Sequence, residues 1–217
     1  MNPNDKQWKE KKSNHYDNRI LFDDNDDLYV MGDWEDPIMK AHAEITCRNG
    51  GHILEVGFGM GISADYIQQQ DIKSHTIIEN DEVVYEKLIE WAKDKPNVEI
   101  IFGDWQNSLP DKKFDGIFID TWGESKISFL FPLMILKCCD IGTIVSFFNQ
   151  ITEPETRFKN IFKSSKLDFF KVEVDIPNYV DYLSSNESKY YYAPRWIVSQ
   201  SDTKENFMKY MASEDNK

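Results

Sequence analysis

Three glycines at alternate positions, directly after a short apolar run, are the strongest chemical signal in this sequence. The run His52–Val56 leads into glycines at positions 57, 59 and 61, and a helical pattern starts at Ile62. A strand that ends in glycines and continues into a helix is typical of the first βα turn of a doubly wound sheet, where the backbone approaches a ligand closely. A dinucleotide-binding fingerprint would need its third glycine at position 62, so Ile62 argues against an NAD-linked oxidoreductase.

Acidic side chains stand at or just after the ends of three later predicted strands. Glu79 lies 22 residues after Gly57, where a carboxylate can accept hydrogen bonds from both hydroxyls of a ribose. Asp104 could accept a hydrogen bond from an adenine amino group, with Trp105 against the ring. Asp120 ends the next strand along the chain. The order and spacing of these residues predict a site for an adenosine-containing ligand.

The elements that would position these residues alternate between strands and helices. Apolar runs predict strands over Ile53–Val56, His75–Glu79, Val98–Phe102, Phe114–Asp120, Thr143–Asn149, Phe169–Ile176 and Tyr190–Ser199. Helical patterns cover Pro37–Cys47, Ile62–Gln70, Asp81–Lys93, Ser125–Cys139 and Glu153–Lys166, with Asp36 as the expected cap of the first helix. This alternation predicts an α/β fold, with a doubly wound, mostly parallel, seven-stranded sheet and a C-terminal hairpin. Its ligand would lie at the carboxyl ends of the strands.

The chain divides into three predicted segments. Residues 29–200 hold the predicted folded domain. Residues 1–28 are charged but contain scattered aromatic side chains, including Trp8. We expect this segment to be flexible or to form a lid that orders over the bound ligand. Residues 201–217 form a polar tail, either a frayed helix or disordered.

The composition disfavours several classes of function. The 217 residues carry a net charge of −13, which disfavours a nucleic-acid partner because phosphates need a basic face. No run reaches the ~18 apolar residues of a membrane span and the N-terminus lacks an apolar signal core, so we expect no membrane partner and a cytoplasmic location. The three cysteines and four histidines show no metal-ligand spacing, and we expect no metal. An acidic protein suits a small cationic substrate. A homodimer is the one larger assembly that we consider.

A further acidic residue, Glu35, stands at a predicted helix entrance and completes a pattern that resembles a known family. The Glu-x-Gly-x-Gly-x-Gly form from Glu55 to Gly61 resembles the S-adenosylmethionine (SAM) site of Rossmann-like methyltransferases. The whole pattern resembles guanidinoacetate N-methyltransferase and the related fungal and plant protein arginine δ-N-methyltransferases. The strings that carry this resemblance include Met31-Gly32-Asp33-Trp34-Glu35-Asp36-Pro37, Gly57-Phe58-Gly59-Met60-Gly61, Phe102-Gly103-Asp104-Trp105, Asp115-Gly116-Ile117-Phe118-Ile119-Asp120-Thr121, Ser146-Phe147-Phe148-Asn149 and Tyr191-Tyr192-Ala193-Pro194.

The resemblance implies a Rossmann-like class I methyltransferase that uses SAM and methylates a guanidino nitrogen. It implies that Glu35 and Asp120 are the catalytic carboxylates that hold the substrate guanidinium, and we add Asn149 and Tyr191 as candidate substrate-binding residues. The residues expected to bind the cofactor are Trp8, Met31, Met39, Glu55, Gly57, Phe58, Gly59, Met60, Gly61, Glu79, Asn80, Asp104, Trp105 and Asp120.

The implied reaction explains the need for two carboxylates. A guanidinium has a pKa above ~12 and the methyl donor is a sulfonium cation, so negative charge must bring two cations together. Deprotonating the guanidinium at pH 7 costs roughly 8 kcal/mol, which proton transfer to a carboxylate during the reaction can lower. We predict that Asp120 accepts the proton and that Glu35 orients the guanidinium by bidentate hydrogen bonds.

The leading hypothesis is a SAM-dependent N-methyltransferase that acts on a small guanidino compound such as guanidinoacetate or arginine. The alternatives are a protein arginine δ-N-methyltransferase and a non-catalytic SAM-binding protein. The δ-N enzymes carry an extra N-terminal domain, whereas about 28 residues precede the predicted core here, which favours the small substrate. The presence of both Glu35 and Asp120 argues against a non-catalytic protein.

Overall fold

The structure is a computed structural model, and it describes residues 13–16, 19–22, 28–121, 134, 137–148, 167–177 and 189–202. The described strands are β1 (Ser13–Tyr16), β2 (Arg19–Phe22), β3 (Leu28–Gly32), β4 (His52–Val56), β5 (Ser74–Glu79), β6 (Val98–Phe102), β7 (Phe114–Ile119), β8 (Cys139–Phe147), β9 (Leu167–Glu173) and β10 (Tyr190–Ile197). The helices are α1 (Asp36–Thr46), α2 (Ile62–Gln68), α3 (Glu82–Ala92) and α4 (Trp105–Ser108), with 3-10 turns at Asp33–Glu35 and Gln200–Asp202. Among the helices described, none is long and apolar enough to cross a membrane.

Seven strands form one sheet in the order β6-β5-β4-β7-β8-β10-β9. The first five pair in parallel, while β10 pairs antiparallel with both β8 and β9. Parallel strands that are covered on both faces tend to be continuous apolar runs, and the central strands β4, β5 and β7 are almost entirely buried. The order and the pairing confirm the predicted mostly parallel sheet with a C-terminal hairpin.

Hydrophobic clusters cover both faces of this sheet, and the two largest contain residues of β7. Because successive side chains of a strand point to opposite faces, Ile117 belongs to one cluster and its neighbour Phe118 to the other. Helix α1 packs on the Phe118 side, where Ile38 and Met39 are fully buried. The helix that begins next to Glu35 is therefore held firmly against the sheet.

The strand order reverses between β4 and β7, and this reversal creates a crevice at their carboxyl ends. Val56 and Ile119 are register partners at that end, so the residues that follow them, Gly57 and Asp120, lie side by side. The Asp120 amide donates to the carbonyl of Val56 at 2.9 Å. The first glycine of the loop and the predicted proton acceptor therefore share one edge of the sheet.

Strand β8 begins earlier than the sequence predicted. Cys139 was expected to end a helix and Thr143 to begin the strand, but Cys139 already pairs with Phe114 of β7, and the register shifts between Phe114 and Gly116. The Thr143 hydroxyl donates to the Phe114 carbonyl at 2.8 Å and accepts from the Asp140 amide at 3.0 Å. These two hydrogen bonds hold the residues at the register shift in the sheet. The predicted helix Glu153–Lys166, and Ser125–Cys139 apart from Met134 and residues 137–139, lie outside the described residues.

The predicted capping role of Asp36 is wrong. Asp36 is the first residue of α1, and the position before it is occupied by Glu35. Both Asp36 carboxylate oxygens instead accept from the Tyr66 hydroxyl, at 3.0 and 3.1 Å. This contact joins the start of α1 to α2, because the long side chain of Tyr66 carries its hydroxyl across to Asp36.

Strands β1, β2 and β3 form a separate antiparallel meander in the order β1-β2-β3. None of these three strands was predicted, and the first 28 residues were expected to be flexible or to form a lid. Strands β1 and β2 are four residues each, too short for their alternation to stand out from a charged segment. The division into segments 1–28, 29–200 and 201–217 stays a prediction, and Trp8 lies outside the described residues.

Candidate functional site

An open cavity lies at the crevice between β4 and β7. Ligands of open α/β sheets bind preferentially at such a switch point in the strand order. The residues that line the cavity come from β3, the 3-10 turn after it, the glycine loop, α2 and the ends of β7 and β8. They are Val30, Met31, Glu35, Gly57, Phe58, Gly59, Ser63, Asp120, Thr121 and Phe148.

The glycine loop forms one wall of the cavity with its backbone. Gly57 has a φ of 89°, and a Cβ there would lie 2.0 Å from the carbonyl oxygen of Asp120. Gly59 has a φ of 55°, and its Cβ would lie 2.8 Å from the sulfur of Met31. Both positions therefore require glycine for conformation and for space, and the loop can present bare peptide groups to a ligand.

Glu79, at the end of β5, holds this loop from below. Its Oε2 accepts from the Phe58 amide at 2.9 Å, and its Oε1 accepts from the amides of Asn80 and Asp81 at 2.7 and 2.8 Å. Burial raises the pKa of Glu79, partly offset by these three amide donors. A carboxylate oxygen has about two acceptor positions, so Oε2 keeps one for a further donor such as a ribose hydroxyl.

Glu55 lies beneath the loop and is fully buried. It accepts a hydrogen bond from the hydroxyl of Ser63 in the first turn of α2, and its Oε2 lies 2.9 Å from Nε2 of His75. Only Ser63 of this group lines the cavity. Glu55 therefore fixes the loop and the helix that follows it, and any influence on a ligand passes through Ser63 or through its charge.

Asp120 faces the cavity from the end of β7. Burial raises its pKa to about 7, and the negative charges of Glu55 and Glu79 contribute to the shift. None of the described residues donates a hydrogen bond to its carboxylate, whereas Glu55 and Glu79 both have donors. A carboxylate with a pKa near neutrality can exchange a proton at physiological pH, as a general base requires.

Glu35 lines the same cavity from the 3-10 turn between β3 and α1. Its side chain is only 2% exposed. Its Oε1 accepts from the Gly32 amide at 3.3 Å, which holds the carboxylate back against its own turn. The fold therefore presents two carboxylates to the same cavity, 85 residues apart in sequence.

Behind the cavity, a buried hydrogen-bonded chain supports Phe148. The hydroxyl of Ser146 donates to the Pro194 carbonyl at 2.6 Å, so it must accept from Nδ1 of His42 at 2.7 Å. Nε2 of His42 is then the acceptor for the Tyr191 hydroxyl at 3.0 Å. Burial lowers the pKa of His42 to about 3, so the ring is neutral in this one tautomer. Phe148 stacks on Tyr191 with ring centroids 5.5 Å apart.

The structure brings some of the predicted site residues to the cavity and leaves others away from it. Among the described residues, those that line it are Met31, Glu35, Gly57, Phe58, Gly59 and Asp120. Those that do not are Met39, Glu55, Met60, Gly61, Glu79, Asn80, Asp104, Trp105 and Tyr191. Asn149 and Trp8 lie outside the described residues.

The structure gives a physical reason why several of these predicted residues do not line the cavity. Met39 and Tyr191 are fully buried in the core, and Trp105 is buried in the cluster on the other face of the sheet. The carboxylate of Asp104 caps α4 by accepting from the Gln106 amide at 3.1 Å. Their contacts with a ligand stay predictions.

Four lining residues were not predicted: Val30, Ser63, Thr121 and Phe148. Three of them are next to a predicted residue in the sequence, and Ser63 stands in the first helical turn after the loop, where ligands often bind. Reading the neighbours of each strand end would have found them. What the sequence could not give was which neighbour faces the cavity.

A family model described as guanidinoacetate N-methyltransferase matches residues 4–131 of this chain. The chain belongs to the guanidinoacetate N-methyltransferase family. This match covers the glycine loop, Glu35 and Asp120, which line the cavity. The family and the fold are those of SAM-dependent methyltransferases, which take the methyl group from SAM.

Two relatives named protein arginine N-methyltransferase 2 extend the comparison within this family. The Yarrowia lipolytica protein is 32% identical over 186 residues, which cover 79% of this chain and 37% of that protein. The Aspergillus oryzae protein is 36% identical over 179 residues, which cover 76% of this chain and 43% of that protein. The chain therefore spans less than half the length of either relative.

A solved structure shows the same fold. The Methanococcus jannaschii fibrillarin pre-rRNA processing protein aligns with a TM-score of 0.54 at 14% identity, covering 88% of this chain and 99% of that one. At this identity the likeness concerns the fold alone. It agrees with the class I methyltransferase sheet described above.

The glycine loop and the carboxylates near it fit SAM. The glycine loop offers bare backbone, because a side chain at Gly57 or Gly59 would collide with Asp120 or Met31. Glu79, which supports the loop but does not line the cavity, has an acceptor position left for a ribose hydroxyl. Asp120 lines the cavity with a carboxylate that can attract a sulfonium cation.

Proposed function

We propose that this protein transfers the methyl group of SAM to a guanidino nitrogen of a small molecule, such as guanidinoacetate or arginine. The observation that carries the proposal is that Glu35 and Asp120 line the same cavity as the glycine loop. SAM supplies an electrophilic methyl group on a positively charged sulfur. The description of the matching family model supports a small guanidino acceptor.

Charge explains why this cavity suits a guanidinium. Among the described lining residues, the ionisable ones are the carboxylic acids Glu35 and Asp120. A planar guanidinium forms paired hydrogen bonds with carboxylates, which fix its plane as well as its position. Two carboxylates that line the same cavity would therefore hold one nitrogen in a defined direction, and such positioning accounts for a large part of catalysis.

Asp120 is the proposed proton acceptor. In the ligand-free protein the pKa of Asp120 is raised to about 7 by burial and by Glu55 and Glu79. Two cations entering the cavity would lower that pKa and leave the carboxylate ionised. As the nitrogen is methylated it becomes more acidic, and the Asp120 carboxylate takes its proton. Glu35 keeps the remaining N–H groups oriented through its own carboxylate.

A second candidate acceptor is the arginine side chain of a protein. The relatives with this name in Yarrowia lipolytica and Aspergillus oryzae favour it. The arginine side chain ends in the same guanidinium, so Glu35 and Asp120 would have the same roles. The two candidates differ only in what surrounds the guanidino group.

Methyl-labelled SAM tests both candidates directly. The protein is incubated with guanidinoacetate, free arginine, an arginine-containing peptide and, as a control, a lysine-containing peptide. We expect methylated product from at least one small guanidino compound, and mass spectrometry identifies it. Product from the arginine peptide alone would favour the second candidate.

Two variants link the product to the proposed site. Asp120→Asn keeps the shape of the side chain but cannot accept the proton, so turnover should fall by about 10²- to 10⁴-fold. Glu35→Gln should mainly weaken binding of the acceptor. A protein that binds SAM but methylates no guanidino compound would show that the proposal is wrong.

A further inference from the structure

Thr121 is the residue next to Asp120, and its hydroxyl has no role in the fold that we can identify. Its Oγ1 is buried and has no hydrogen-bond partner among the described residues. Thr121 also lines the cavity together with Glu35 and Asp120. Buried hydroxyls nearly always have a partner, so one without a partner at a ligand cavity calls for an explanation.

The hydroxyls of Ser63 and Ser146 near the cavity are paired, since Ser63 donates to Glu55 and Ser146 donates to the Pro194 carbonyl. Asp120 and Thr121 differ from them, because the described residues leave the carboxylate without a donor and the hydroxyl without any partner. The buried hydroxyl of Thr46 also has no partner among the described residues, but Thr46 does not line the cavity. Two adjacent residues that line one cavity thus have unmet hydrogen-bonding capacity.

We propose that Thr121 is an acceptor-binding residue, whose hydroxyl accepts one N–H group of the bound guanidinium. This inference rests on the proposed function. A singly substituted guanidinium has five N–H groups, and two carboxylates that each bind in a paired manner take up four of them. The hydroxyl provides a neutral acceptor for the fifth, where a third carboxylate would add repulsion next to Asp120.

Thr121→Val tests this because valine has nearly the same shape but no hydroxyl. We expect the KM of the guanidino acceptor to rise by about 10- to 100-fold, the cost of losing a hydrogen bond to a charged group. The affinity for SAM, measured by calorimetry, should stay within about twofold, and the ligand-free protein should be as stable as the parent or more so, since no native bond is lost. Thr121→Ser keeps the hydroxyl and should restore most of the acceptor affinity.

Thr143→Val is the matched control, because it removes a buried hydroxyl that is paired on both sides, to Phe114 and to Asp140. This variant should lower the melting temperature without changing the KM of the acceptor. Binding of the acceptor to protein saturated with the demethylated product of SAM provides a second measurement that does not depend on turnover.

Three results would overturn the proposal. If Thr121→Val is destabilised as much as Thr143→Val with an unchanged KM, the hydroxyl has a structural role. If Thr121→Val weakens SAM and not the acceptor, the hydroxyl faces the cofactor. If the parent binds no guanidino compound at all, the proposed function fails as well, whereas an active parent with an unaffected Thr121→Val variant contradicts only the role of Thr121.

Discussion

Replacing Asp120 by asparagine should make the ligand-free protein more stable above pH 7, although it removes the proposed proton acceptor. Burial, with contributions from Glu55 and Glu79, raises the pKa of Asp120 to about 7 from its ordinary value of 3.8. Ionising this carboxyl therefore costs more in the folded protein than in the unfolded chain. Asparagine has a similar shape and is never ionised, so the variant avoids that cost.

The direction of the pH dependence follows from the raised pKa of Asp120. Between pH 3.8 and pH 7 the folded state holds a proton on this residue that the unfolded state has lost. The associated stability is fully present below pH 3.8 and is lost as the pH rises through 7. A shift of roughly three units corresponds to about 4 kcal/mol. Asp120 opens on a cavity that water can enter, so we expect about 2–4 kcal/mol in practice.

Denaturant unfolding of the parent and of Asp120→Asn between pH 4.5 and pH 8.5 measures this difference. The variant should gain stability relative to the parent as the pH rises, with the gain levelling off above pH 8. Asp111→Asn is the control, since Asp111 is exposed on the surface, and its difference from the parent should be small and flat. A variant that is less stable than the parent at pH 8, or a stability difference that does not vary with pH, would refute the argument that the fold raises the pKa of Asp120.

Three further predictions concern neighbouring groups. SAM binding at pH 6.5 should release up to about 0.8 proton per protein, because the cation ionises a carboxyl with a pKa of about 7. Calorimetry in buffers of different ionisation enthalpy measures this release, and an equal release from Asp120→Asn would contradict the assignment. Glu79→Gln should weaken SAM binding by about 1–3 kcal/mol, since a charged acceptor for the ribose is lost together with part of the support of the Phe58 amide; a variant with unchanged SAM affinity would exclude that contact. Burial lowers the pKa of His42 to about 3, so the folded state favours the neutral ring. This preference stabilises the folded protein fully above pH 6.5, and the stabilisation is lost as the pH falls towards 3. The stability advantage of the parent over His42→Gln should therefore shrink across that range in unfolding experiments, and an advantage that grows on acidification would be inconsistent with a neutral buried ring.

Local patterns were enough to predict the parallel part of the sheet. The predicted bounds of β4, β5, β6 and β7 differ from the observed ones by at most one residue, because each strand is an apolar run with clear polar or glycine ends. The start of β8 was missed because Asp140 and Gly142 suggest a turn, whereas pairing with β7 keeps them in the strand. That pairing joins residues about 25 apart and cannot be inferred from local sequence.

Site residues at the ends of strands could be predicted from the sequence. Which residues line the cavity and which lie buried beneath it was harder to predict. Gly57 and Asp120 both stand at predicted strand ends, so both were expected at the carboxyl edge of the sheet, and the structure places them side by side. The sequence does not reveal that Glu55 lies under the loop while Ser63 reaches the cavity, since both belong to the same loop-helix unit. Nor does the sequence show that the Tyr191 hydroxyl donates to His42, whereas Phe148 lines the cavity. Such distinctions come from packing between distant segments.

The arrangement of the three carboxylates suggests how the site is kept ready for a cation. Glu55 accepts from Ser63 and lies against His75, and Glu79 accepts from three backbone amides, so both have donors within the fold. Asp120 receives no such hydrogen bond from the described residues, and the charges of Glu55 and Glu79 add to the effect of burial in raising its pKa. The carboxylate that lines the cavity therefore experiences the repulsion of the other two without a donor of its own. A cation bound there relieves this repulsion, so part of the electrostatic cost of folding this site is recovered only when the ligands arrive.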